Sequence, residues 1–214
     1  MTQTKKKIGA FMTAPRYECV WARNKIDFAL QKNGIPLTVS GGVFYGQCMQ
    51  RMLADAVAKG IDYALTIDFD SIFDAEDVAA LIQRANSRDD IDALAAVQAR
   101  RGMKFPLFTI GQETEVMFDG NPVRVDTAHF GLTLIKLDKL KEVPKPWFWC
   151  KPNSDGEWAT DKLDDDIYFW HEWKKAGLSI WVDPSVSIGH LEEVVSYFDE
   201  DGKHQFSYLG DWSE

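Results

Sequence analysis

"YALTIDFDSIFDAEDVAALI", Tyr63 to Ile82, decides the fold class. Its first seven residues are almost continuously apolar, the pattern of a strand covered on both faces. The run ends in Asp68 and Asp70, one residue apart. Asp74 then stands where a helix N-cap belongs, and Val78, Leu81, Ile82 and Ala85 share one helical face. An apolar strand leading through acids into an amphipathic helix is one βα unit. Working outward, two more such units precede it. "KIGAFMTA" (Lys7 to Ala14) reads as a strand and Cys19 to Asn33 as a helix stopped by Gly34. "PLTVS" (Pro36 to Ser40) is a second strand, followed by a helix from Gln47 to Lys59 that ends at Gly60. "DALAAVQA" (Asp92 to Ala99) is a fourth strand. This alternation predicts an α/β fold with a mostly parallel, doubly wound sheet.

Beyond Arg100 the pattern changes. "FPLFTIG", "NPVRVDT" and "FGLTLIKL" read as shorter strands, a smaller mixed or antiparallel layer. A Trp-rich loop, Pro144 to Trp158, interrupts them. The helix "DDIYFWHEWKKA" and the strand "LSIWVDPSVSI" close the fold. One domain over 1–214 is expected, with residues 7–100 as one half, 101–190 as the other and 191–214 as a tail.

Net charge is −9, which argues against general binding of phosphate backbones. Cys19, Cys48 and Cys150 are few, scattered and odd in number, so neither zinc spacing nor a disulfide framework is indicated. A reducing, cytoplasmic setting with no membrane anchor is the simplest expectation.

Three acidic or imidazole features carry chemistry. Residues i and i+2 of a strand point the same way, so Asp68 and Asp70 share a side if the strand reaches Asp70. At the carboxyl end of a central strand, two carboxylates suit a hard cation such as Mg²⁺ or Mn²⁺. The alternative is simple capping and solvation. Asp164, Asp165 and Asp166 open a helix, where acids complement the dipole; one fixed there can also serve as a general base. His190 follows Gly189 at a strand end, the place of a ligand or of a structural His.

These segments, in this order, resemble the nucleotide-sugar glycosyltransferases of the GT-A fold, particularly the family-2-like members. "TIDFDSIFDAEDVAALI" is similar to their Asp-x-Asp segment, "TAHFGLTLIKLDKL" to their acceptor-side segment, "DDDIYFWHEWKKAG" to their Glu-Asp helix, and "IWVDPSVSIGH" to their closing strand. The resemblance implies a Rossmann-like sheet with a small acceptor-side β layer. It implies transfer of a sugar from a nucleoside-diphosphate sugar, UDP-sugars favoured, to an acceptor hydroxyl with inversion. Asp70 and His190 would hold Mn²⁺ or Mg²⁺, with Asp68 on the metal's water or the ribose. Asp166 would be the general base, or Asp165 if the register slips by one. Thr13, Ala14 and Arg16 would line the nucleotide pocket, with Arg51, Arg100 and Arg101 near the diphosphate. His129, Trp147 and Trp149 would face the acceptor, which is a glycan, a protein or, against the acidic charge, a modified nucleic acid. Two rival readings stand beside this one. A haloacid-dehalogenase-like phosphohydrolase also uses a strand ending in Asp-x-Asp, but places it at the chain start. A non-catalytic GT-A-like domain binding carbohydrate or protein would have no need of the acids and His190.

Overall fold

The computed structural model describes residues 6–15, 17–100, 106–109, 120–159 and 161–208. Its first half alternates as expected: β1 (Ile8–Ala14), α1 (Val20–Lys32), β2 (Leu37–Gly41), α2 (Tyr45–Ala58), β3 (Tyr63–Asp68), β4 (Ser71–Ile72), α3 (Ala75–Asn86) and β5 (Ala93–Gln98). The second half adds β6 (Phe108–Thr109), β7 (Val123–Arg124), β8 (Thr127–Ala128) and β9 (Leu132–Lys136). A 3-10 turn, α4 (Asp165–Lys175), β10 (Ile180–His190) and a hairpin of β11 (Val194–Phe198) and β12 (His204–Tyr208) complete the order.

The helices stop where backbone geometry demands it. Gly34, Gly60 and Gly177 have φ of 67°, 66° and 80°, the left-handed region where a Cβ is strained. After each, the next residue's N–H reaches back to the helix: Ile35 to Leu30 O, Ile61 to Ala56 O, Leu178 to Trp173 O. This paired closure satisfies carbonyls that the helix end leaves open.

The main sheet runs β2-β1-β3-β9-β5-β10-β4, with β7 on the flank of β10. β1 is parallel to β2 and β3, and β5 is parallel to β10. One expectation is corrected here. The segment expected in the smaller layer, β9, instead lies in the middle of the sheet, antiparallel to both β3 and β5. Its residues from Leu132 to Ile135 are buried, so it needs cover on both faces; a short apolar run does not encode which neighbours supply it. Strand alternation then sorts two cores. Ala64, Ala93, Ala95 and Val97 face the side of α2 and α4, while Leu65, Ile67, Leu94 and Ala96 face that of α1 and α3.

A buried ion pair ties α3 to the sheet. Arg84 Nε meets Asp183 Oδ2 at 2.9 Å, and Asp183 is 1% exposed where β10 bulges. Arg84 also donates to Gly120 O, and Ser185 holds the other Asp183 oxygen through its N–H and hydroxyl. Removing one partner of a fully buried pair costs about 3–5 kcal/mol. Water screens the Arg84 end and Ser185 stays in place, so Arg84→Ala is expected to cost about 2 kcal/mol in urea unfolding. Among the described residues no helix is long and apolar enough to cross a membrane.

Candidate active site

β3 ends at Asp68, beside Thr13 of β1 in register. The chain then turns at Phe69–Asp70 before β4. The strand therefore does not extend to Asp70, and the two acids are separated by a turn instead of sharing a strand face. Asp68 lines a cleft of about 590 Å³ together with Tyr45, Arg100, Phe108, Thr127, Phe130 and Asp164 to Ile167. Asp70 is buried and meets His190 at the end of β10, Oδ2 to Nε2 3.4 Å. The antiparallel pairing of β4 and β10, with His190 opposite Ser71, brings them together.

His190 Nδ1 lies 3.1 Å from Ala99 O. A carbonyl only accepts, so Nδ1 carries a proton, and Nε2 faces a carboxylate oxygen of Asp70. A carboxylate oxygen and an imidazole nitrogen, the latter held from behind by a carbonyl, form a donor pair that fits a hard divalent cation. Among the described residues no group of three His, Cys, Asp or Glu side chains is drawn together for a metal. Asp70 and His190 make the pair, and Asp68 stands on the cleft wall.

The three acids at the start of α4 have separate tasks. Asp164 pairs with Lys162 at 2.7 Å. Asp165 Oδ2 accepts the Gly46 N–H in the first turn of α2 at 2.8 Å, and its Oδ1 accepts the Asp166 N–H. That contact requires Gly46, because a Cβ there would fall 2.6 Å from the Asp165 oxygen and 2.6 Å from Phe148 Cβ. Asp166 faces the cleft with one oxygen accepting the Ile167 N–H. Burial pushes its carboxyl up to about 6; the Ile167 bond works against this, and Asp165 and Asp164 add to it.

Tyr45 was not anticipated. The helix begins two residues before the expected Gln47, and this places Tyr45 in the cleft. Burial, then Asp68, Asp166 and Asp165 in turn, hold its phenol well above the usual range.

The remaining expected residues scatter. Thr13 and Ala14 end β1 at the same sheet edge as Asp68. Arg100 lines the cleft, whereas Arg51 reaches Ser40 Oγ at the end of β2, two strands from β3. Arg16 and Arg101 lie outside the described residues. His129 is buried, with Nδ1 accepting the Gly131 N–H and Nε2 against Ala96 O. Both ring nitrogens bond the backbone, the residue still lines the cleft beside Phe130, and burial lowers the ring to about 4. Trp147 is also buried, its indole N–H on Val143 O, so it offers no face to a sugar; Trp149 is 53% exposed. A larger cavity of about 750 Å³ lies at the opposite sheet edge, among Ile8, Tyr63 and Lys136. It touches none of the acids above, and open α/β sheets bind ligands at the carboxyl ends of their strands.

No family model matches the chain, and no curated protein matches it. Among solved structures it is similar to A197 from STIV, with TM-score 0.60, 16% identity and 92% of each chain covered. It is also similar to the mannosyltransferase PcManGT from Pyrobaculum calidifontis, solved in complex with GDP-Man and Mn²⁺. That match has TM-score 0.52 and 13% identity, and covers 89% of this chain and 58% of that one. Likeness at this identity concerns the fold, and the fold is the Rossmann-like GT-A arrangement.

Proposed function

We propose that the protein is a metal-dependent glycosyltransferase that moves a sugar from a nucleoside-diphosphate sugar to an acceptor hydroxyl. The observation that carries this reading is the meeting of Asp166 and Asp68 in one cleft, at the carboxyl edge of a GT-A-type sheet. The Asp70–His190 pair adjoins that edge, and a mannosyltransferase of the same fold holds GDP-Man and Mn²⁺. Thr13 and Ala14, at the end of β1 beside Asp68, would line the nucleotide pocket, and Arg100, on the cleft, would meet the diphosphate. Trp149, which is exposed, would face the acceptor.

Asp166 is the better base of the two acids, because backbone N–H groups hold both oxygens of Asp165. In the transfer, Asp166 takes the acceptor hydroxyl proton as that oxygen bonds to the anomeric carbon. The bond from that carbon to the diphosphate breaks, and its electron pair leaves with the nucleoside diphosphate. Attack opposite the leaving group inverts the anomeric centre. Asp70 and His190 would hold a Mn²⁺ or Mg²⁺ ion, whose charge offsets the charge building on the diphosphate.

Titration of UDP- and GDP-sugars with and without Mn²⁺, by calorimetry and thermal shift, tests the reading. A donor at about 100 times its Kd should stabilise the protein by about 2.7 kcal/mol. Asp70→Asn should lose the Mn²⁺-dependent part of that gain. Absence of donor binding, or binding indifferent to Asp70, would sink the proposal.

A further inference from the structure

We infer that Gln98 is a positioning residue that sets the spacing of Asp70 and His190. The inference rests on the reading of those two residues as the metal pair. Gln98 is the last residue of β5 and is 1% exposed. Its amide nitrogen donates to Ser71 Oγ at 3.1 Å and to Gly189 O at 3.3 Å. Ser71 directly follows Asp70, and Gly189 directly precedes His190. One buried amide therefore clamps the neighbours of both side chains.

The clamp answers a weakness in the fold. β4 and β10 pair over only two positions, Gly189 with Ile72 and His190 with Ser71. So short a ladder frays easily on its own. Two other links bear on the same point: Leu191 N–H donates to Asp70 O at 2.8 Å, and Ala99 O accepts His190 Nδ1. Ala99 is the next residue after Gln98, so the end of β5 both orients the imidazole and holds the strand that bears it.

Gly131 provides the seat. A Cβ at Gly131 would fall 2.5 Å from Gln98 Oε1 and 2.7 Å from Ser71 Oγ. The amide occupies space that only glycine leaves open. His129 in turn pins Gly131 through the N–H bond described above. Gln98 acts through Asp70 and His190, by way of Ser71 and Gly189.

Gln98→Met keeps the length and apolar bulk and removes the donor. The test titrates Mn²⁺, followed by the electron-spin signal of free Mn²⁺, in the presence of UDP or GDP, whichever the wild type retains. No turnover is involved. Loss of a group that orients metal ligands lowers metal affinity about 10–100-fold, and that is the expected change in Kd. Metal-free nucleotide affinity and the far-UV spectrum should stay at wild-type values, a split that a merely structural role would not produce. Gly131→Ala, which crowds the amide off Ser71 without removing it, should shift the Kd in the same direction. It also serves if Gln98→Met does not fold. Wild-type Mn²⁺ affinity in the folded variant or variants, with Asp70→Asn impaired, overturns the role of Gln98. Indifference of Mn²⁺ binding to Asp70→Asn itself overturns the reading of the metal pair, and the inference with it.

Discussion

Asp166→Asn is expected to lower kcat by about 10²–10⁴-fold, the usual contribution of a positioned general base. The substitution is nearly isosteric, and the amide oxygen can still accept the Ile167 N–H. Donor binding in the presence of Mn²⁺ should therefore remain close to wild type, and the loss should fall on kcat. The pH dependence supplies a second, sharper check. Burial holds the Asp166 carboxyl at about 6, so wild-type activity should rise with pH through that value as the base ionises. The residual activity of Asp166→Asn should show no such limb. The sign of the stability effect runs the other way. A folded-state value above the unfolded one means that the group's stabilisation is present below the unfolded carboxylate range and is lost as pH rises through about 6. The Asn variant should thus be more stable than wild type at pH 8, with the difference vanishing near pH 4. A rate profile unchanged by the substitution would remove Asp166 from the chemistry.

Phe169→Ala should produce the largest loss of stability, about 3–5 kcal/mol for truncating a fully buried aromatic ring. Phe169 lies one turn along α4 from Asp166 and is 0% exposed. It stacks on Phe148 at 4.9 Å and on Trp173 at 5.6 Å, and meets Trp170 and Phe130 edge-on at 4.9 and 5.3 Å. These rings join α4 to the Trp-rich loop and to the turn before β9. For a chain of this size the loss corresponds to a fall in Tm of roughly 6–20 °C. Phe169→Leu, which fills more of the space, should lose less. Because the same helix start carries Asp165 against Gly46 and Asp166 into the cleft, the Ala variant should also lose activity at temperatures where it remains folded. Full activity there would mean that the ring cluster stabilises the helix without positioning its acids.

Much of the fold could be read along the chain. The apolar run at Tyr63, the helical faces and the stops at Gly34 and Gly60 are local signals, and the first half follows them closely. Phe69, in the turn after β3, packs toward the α1 and α3 core. Asp74 starts α3, where Asp77 accepts its N–H. The second half was less legible because its strands are short and apolar on both faces. Nothing in "LTLIK" states that it enters between β3 and β5 or in which direction.

The candidate site divides in the same way. The sequence alone determined which acids and which imidazole stand at element ends, since caps, strand ends and glycine stops arise from bonds within a few residues. Only the tertiary structure decided how those groups are used. It turned the chain between Asp68 and Asp70, matched Asp70 to His190, and bound Asp165 to Gly46, 119 residues away, leaving Asp166 for the cleft. It also buried Trp147 and started α2 at Tyr45, which puts that ring in the cleft beside His129. Burial and hydrogen-bond partners depend on which segments meet in space, and that pairing is settled by packing across the whole sheet.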